Sequence, residues 1–279
     1  METRQHKRIS LAQNFLTSPK LVHRLVRMST IGPSDTVYEI GPGKGIITAA
    51  LASVARQVIA IEKDPELVRR LRERFRLRDN VKIVEKDFLN YSFCPRPGTG
   101  VPHVPVARQT AVSEYKLFAS IPYNRTAQIM RKVLDERSSL CEAYLIMQKE
   151  AARKCSGSPK ETMFSILVKP FFDFQILWQL MRTDFWPVPN VDSVLLSIKR
   201  RPSPLIESQD FAGYREFVQY GFARWKPNLK LAFKSVFTYK QWKRLARELD
   251  FPLNATPTEL SIEQWVGLYR GFQVQTGAR

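Results

Sequence analysis

Glu39-Ile40-Gly41-Pro42-Gly43-Lys44-Gly45 follows directly on an apolar run, residues 36–40, and leads directly into residues with helical spacing. A strand that turns through glycines into a helix places that turn at the carboxyl end of a parallel sheet, where a ligand can approach the backbone closely. The surrounding chain repeats the alternation. Helices are predicted over 44–54, 65–76 and 126–134, and strands over 57–62, 81–87, 115–120 and 142–148. This order predicts an α/β fold built on a parallel sheet with helices on both faces.

Two further apolar runs, 172–180 and 193–199, are joined by a connection too short for a helical crossover, which predicts an antiparallel hairpin at the end of the sheet. Arg200-Arg201-Pro202-Ser203-Pro204 then reads as a boundary. Beyond it the spacing is helical only, with a capping-box pair at Ser261 and Gln264. The expected division is a sheet domain over 1–202 and a small all-α domain over 203–279. Residues 92–114, rich in proline and glycine, are expected to be a mobile insertion.

Glu62 lies 21 residues after Gly41, at the end of the second strand, where an acid receives the hydroxyls of a ribose. The loop departs from a dinucleotide site in two ways. Its third glycine follows the second by two positions, and Glu39 sets a carboxylate at the strand mouth that would repel a pyrophosphate but suit an ammonium group. S-adenosylmethionine has a ribose, an adenine and a zwitterionic amino acid, with no phosphate. Asp87, after the third strand, is placed to accept from an adenine amino group.

The fourth strand ends in Ser120-Ile121-Pro122-Tyr123. An exocyclic adenine amine is a poor nucleophile, and a site that methylates it must accept hydrogen bonds from the amine protons as charge develops. Ser120 and the Ile121 carbonyl are the candidate acceptors, Pro122 restricts the backbone before it, and Tyr123 is a candidate stacking surface. Phe185, in the hairpin connection, is the candidate second wall.

Together, Gln13-Asn14-Phe15-Leu16, residues 39–45, Glu62, Asp87-Phe88 and residues 120–123 resemble the successive motifs of the ribosomal RNA adenine N6-dimethyltransferases. Gln148-Lys149-Glu150-Ala151-Ala152, residues 183–193 and residues 221–227 are similar to the Erm branch. The resemblance implies a Rossmann-like class I S-adenosylmethionine-dependent methyltransferase, with cofactor contacts at Asn14, Leu16, Gly41, Glu62, Asp87 and Ser120; Gln13, Glu39, Gly43 and Gly45, within the same motifs, complete the candidate cofactor site. It also implies an adenine of 23S rRNA at the macrolide site as target, with resistance to macrolide, lincosamide and streptogramin B antibiotics. Small-subunit 16S rRNA is the alternative target, and a non-catalytic RNA-binding or transcription-factor relative the alternative of another class. The sequence has Ser120 where the family usually has Asn.

Charge agrees with an RNA partner. Lys and Arg number 44 against 26 Asp and Glu, a net +18, and the excess points to a polyanionic partner or a membrane surface. It is concentrated in the leader, with Arg4, Lys7 and Arg8, and in the helical segment, with Arg224, Lys226, Lys230, Lys234, Lys240, Lys243 and Arg244. No apolar run is long enough to span a membrane. Cys94, Cys141 and Cys155 form no C-x-x-C pair and the three histidines are dispersed, so no metal and no disulfide are expected. The expectation is a cytoplasmic monomer.

Overall fold

The computed structural model describes residues 14–93, 114–135, 140–223 and 226–277. Gln13, the leader cations Arg4, Lys7 and Arg8, Arg224 and nearly all of the 92–114 insertion lie outside the described residues.

The chain runs β1 (Phe15–Leu16), α1 (Pro19–Arg27), β2 (Thr36–Ile40), α2 (Ile46–Ala52), β3 (Gln57–Glu62), α3 (Pro65–Arg74), β4 (Val81–Glu85), β5 (Tyr115–Ser120), α4 (Thr126–Asp135) and β6 (Leu140–Gln148). It continues through α5 (Lys149–Ser156), α6 (Met163–Val168), β7 (Phe172–Leu180), β8 (Phe185–Trp186), β9 (Ser193–Arg200), α7 (Phe211–Ala223), α8 (Leu229–Ala232), α9 (Tyr239–Glu248) and α10 (Ile262–Thr276).

Seven strands form one sheet in the order β4-β3-β2-β5-β6-β9-β7. The chain builds outward from β2 in one direction through β3 and β4, then returns to the other side of β2 with β5 and β6, all parallel. The switch between β2 and β5 opens a crevice at the carboxyl ends of these strands, which is where ligands bind in such sheets. β9 lies antiparallel against β6, with Glu142 opposite Lys199 and Gln148 opposite Ser193. The hairpin thus closes the sheet with its second strand inside and its first at the edge.

Strand burial explains the parallel arrangement. Val58, Ala60 and Ile61 of β3 and Leu117, Phe118 and Ala119 of β5 are buried, as strands covered on both faces require. α1 starts as its sequence dictates: Ser18 accepts from the Leu21 amide, Pro19 takes the first turn, and Val22, Leu25 and Val26 enter the core. That core also holds Leu51, Val58, Tyr144 and Leu195.

By its internal contacts the chain forms two units, one of residues 1–149 and 175–200, the other of 150–174 and 201–279. Residues 150–174, assigned to the sheet domain from the sequence, group by these contacts with the helices. Ile166 of α6 belongs to the helical core with Tyr214, Phe233, Trp242 and Trp265, and the Tyr214 hydroxyl donates to the Ile166 carbonyl at 3.1 Å. Truncating either buried Trp to Ala would cost about 3–5 kcal/mol. Ser261 and Gln264 cap α10 reciprocally, as expected.

Candidate active site

β2 hands the chain to α2 through Gly41, Gly43 and Gly45, all in the left-handed region at φ 63°, 57° and 79°. The three glycines face different surroundings. A Cβ on Gly45 would lie 2.8 Å from the Phe75 ring, and one on Gly43 would lie 2.6 Å from the Phe15 ring. One on Gly41 would meet nothing within 4 Å. The first two are therefore needed for packing, whereas Gly41 borders open space.

Glu62, at the end of β3, binds this loop in place. Its Oε1 accepts from the amides of Lys63 (2.8 Å) and Asp64 (3.1 Å), and its Oε2 from that of Gly43 at 3.3 Å. A carboxylate offers about four acceptor positions, so capacity remains for a hydroxyl. Asp87 accepts from the Leu89 amide at 2.9 Å, and its other oxygen lies 4.0 Å from the Arg125 guanidinium. The end of β4 is thereby tied to the turn that follows β5.

Glu39 departs from expectation. It is 1% exposed, and neither carboxyl oxygen has a hydrogen-bond partner; the buried Thr48 hydroxyl has none either. Burial pushes its pKa up to about 8, a rise opposed by nearby Thr48 and reinforced by the charge of Glu62. An ionised carboxylate at an open strand mouth is thus corrected to a buried group that holds its proton at neutral pH, because the β2 pleat turns it inward.

β5 pairs with β6 as far as Ser120 opposite Ile146, and the Ile121 amide donates to the Ile146 carbonyl at 3.0 Å. Pro122 then opens a 3-10 turn over Tyr123–Arg125, with the Arg125 amide returning to the Pro122 carbonyl at 3.0 Å. Ser120, Pro122 and Tyr123 are half-buried and Ile121 is buried. The Tyr123 hydroxyl lies 2.6 Å from Ser193 Oγ, and the Asn14 side chain is close by. Burial raises its pKa, and the neighbouring Ser193 and Asn14 side chains lower it, with a net rise.

A two-stranded ribbon completes the site. β1 pairs antiparallel with β8, Phe15 opposite Trp186 and Leu16 opposite Phe185. Cross-strand partners share a face. Leu16 and Phe185 are buried together in the sheet-domain core, whereas Phe15 lies over Gly43 and Trp186 is 54% exposed. Phe185, expected as a second wall for the base, is 2% exposed and offers no face to a ligand; strand alternation points its ring into the core. The Leu16 side chain is likewise part of the core, so only its backbone is available to a cofactor.

In the helical unit, Lys226, Lys234, Lys240, Lys243 and Arg244 are exposed and Lys230 is half-buried. Lys240, Lys243, Arg244 and Arg247 line a cleft of about 800 Å³ whose lining also includes Phe251 and Leu253. Among the described residues no cluster of His, Cys, Asp and Glu could hold a metal ion, and no helix is long and apolar enough to cross a membrane.

The model of the family "Ribosomal RNA adenine dimethylase" matches residues 4–273. The chain belongs to this family. It is an S-adenosylmethionine-dependent rRNA adenine methyltransferase of the class I fold. It is 30% identical to ribosomal RNA small subunit methyltransferase A of Chlorobium phaeobacteroides strain BS1 over 93% of this chain and 91% of that one. It is 28% identical to the mycinamicin-resistance protein MyrB of Micromonospora griseorubida over 98% and 81%. Among solved structures, the 23S rRNA methyltransferase ErmE superposes with a TM-score of 0.81 at 27% identity, covering 93% of this chain and 100% of that chain.

The residues fit the family's cofactor. A buried acid without a partner lies beneath the glycine loop, Glu62 has acceptor capacity in reserve, and Gly41 borders a space that a side chain would fill. The pairing of β1 with β8, the Ser193 partner of Tyr123 and the buried Thr48 have no legible signal in the sequence. A strand of two residues has no measurable period, and Thr48 is one polar residue within an apolar helix.

Proposed function

We propose that this rRNA adenine methyltransferase modifies N6 of an adenine of 23S rRNA at the macrolide site, giving resistance to macrolides, lincosamides and streptogramin B. The observation that carries this reading is the likeness to ErmE along 93% of the chain. The 98% coverage of the match to MyrB supports it. The 30% identity to a small-subunit methyltransferase keeps 16S rRNA as the second reading. Acting on ribosomal RNA, the enzyme would work in the cytoplasm, as a monomer.

Asn14, the Leu16 backbone, the glycine loop, Glu62 and Asp87 would hold S-adenosylmethionine, with Glu62 at the ribose hydroxyls and Asp87 at the adenine. When bound, the cofactor supplies a methyl group for in-line displacement. The remaining work belongs to the corner after β5. Ser120 Oγ and the Ile121 carbonyl accept hydrogen bonds from the target amine, favouring the pyramidal nitrogen over the delocalised one. Tyr123, fixed by Ser193, stacks on the base and holds it in line. The adenine must be unstacked to reach this corner, so it should lie in a loop or single strand. The cationic face of α9 and the exposed lysines before it would hold RNA phosphates.

Primer extension on 23S and 16S rRNA from cells with and without the protein tests the target. The expected result is a modification-dependent stop at the macrolide-site adenine. Modification confined to 16S rRNA would replace the first reading with the second.

A further inference from the structure

We infer that Trp186 is a stacking platform for an unpaired rRNA nucleobase beside the target adenine. Trp186 is paired with Phe15 across the ribbon and shares its face, and Phe15 is the ring that covers Gly43 of the cofactor loop. Asn14, one residue before Phe15, lies close to the Tyr123 hydroxyl. One backbone step of about 3.8 Å and one cross-strand step of about 5 Å thus separate Trp186 from the residue beside the stacking tyrosine. Successive nucleotides of a stacked strand are spaced by about 3.4 Å, so a neighbour of the target adenine falls within reach.

The platform is built, not incidental. Phe185 is turned into the core by the same pairing that turns Trp186 out. The connection that carries them is anchored at both ends: the Met181 amide donates to Asp184 Oδ2 at 2.8 Å, the Thr17 amide to the Asp184 carbonyl at 3.0 Å, and the Lys149 amide to the Asp192 carbonyl at 2.9 Å. Arg182 and Asp192 close it with an ion pair at 2.9 Å. This single connection displays Met181, Trp186, Val188 and Val191, all exposed. A scattered apolar side chain on a surface is ordinary, but several displayed together mark an interaction site. Cationic side chains accompany it: Lys44 lies 5.9 Å from the Phe15 ring, and Arg182, paired with Asp192, lies in the connection itself. An indole face beside cations suits a nucleobase and its phosphate, whatever the base.

The inference rests on the rRNA reading and concerns positioning rather than chemistry. Its test uses the full chain with W186L, W186A and W186F, and protein-free transcripts of both 23S and 16S rRNA. W186L and W186A should raise KM for RNA by about 5- to 100-fold, more than they lower kcat, with affinity for S-adenosylmethionine and Tm retained. W186F should recover most of the loss. In a stem-loop carrying the target adenine, 2-aminopurine at a flanking position should be quenched by the wild-type protein and by W186F but not by W186L. An RNA KM unchanged in W186L, or a loss confined to cofactor affinity, overturns the platform. Because the variants are scored on whichever transcript the wild-type enzyme methylates, a 16S target would defeat the 23S reading alone. No transfer to either transcript would overturn both.

Discussion

The hydroxyl of Tyr123 lies 2.6 Å from that of Ser193, joining the turn after β5 to the first residue of β9. A ring held this way can stack without first paying an ordering cost. Y123A should lower kcat/KM for methyl transfer by about 5- to 100-fold, the range for removing one aromatic stack. Y123F and S193A both remove the Tyr123–Ser193 hydrogen bond and should cost only about 2- to 10-fold. Steady-state transfer of labelled methyl to rRNA separates the two outcomes.

Ser120 carries the side-chain oxygen assigned to the target amine. S120A should reduce kcat by about 10- to 100-fold while leaving the KM for RNA nearly constant, since the acceptor acts as charge develops. Single-turnover methyl transfer reads the chemical step directly, and an unaltered rate would remove Ser120 from the mechanism.

The glycines divide by what they face. G41A should cost about 1–2 kcal/mol of stability for its backbone alone, yet greatly weaken binding of S-adenosylmethionine because its methyl enters the open space. G45A adds a collision with Phe75 and Leu71, so a further cost of about 1–3 kcal/mol is expected. Urea unfolding and calorimetric titration of the cofactor should rank the variants in opposite orders.

Glu39 makes stability depend on pH. Its folded pKa of about 8 lies above the ordinary 4.5, so the folded state binds the proton more tightly. Below about pH 4.5 both states are protonated and the residue contributes no pH slope. Between about 4.5 and 8 stability falls as pH rises, by at most about 1.4 kcal/mol per pH unit. E39Q should flatten this slope in urea titrations across that window.

Cationic side chains should make RNA binding sensitive to salt. If six to ten phosphates are engaged, affinity should fall by about 10³ to 10⁵ between about 50 and 200 mM salt. K240A/K243A/R244A should flatten the dependence of log K on log[salt] by about 0.7–0.9 for each phosphate no longer neutralised. Filter binding across a salt series checks both.

Where physics acts locally, the sequence is legible. β2, β3, β5 and β7 occupy the spans that their apolar runs predict, and the Ser18 and Ser261 caps form as their neighbours require. The glycine loop and its acids are visible because their spacing follows from one strand-turn-helix unit. What escapes depends on distant partners. Phe185 looks like a ligand wall in sequence because nothing in its own segment announces Leu16, far away in the chain, as its strand partner. Glu39 looks ionised because its burial depends on the packing of the whole sheet. Residues 150–174 look like part of the sheet domain because no change of composition marks where they leave it.

The pairing of Phe15 with Trp186 also orders events during synthesis. Ribosomes make the cofactor loop and the turn at Tyr123 early, but the strand that holds Phe15 over Gly43 comes from residues 185–186. A nascent chain that has not yet emerged to that point has the glycine loop without its aromatic cover. Completion of the binding site is thereby deferred until nearly the whole sheet has been translated.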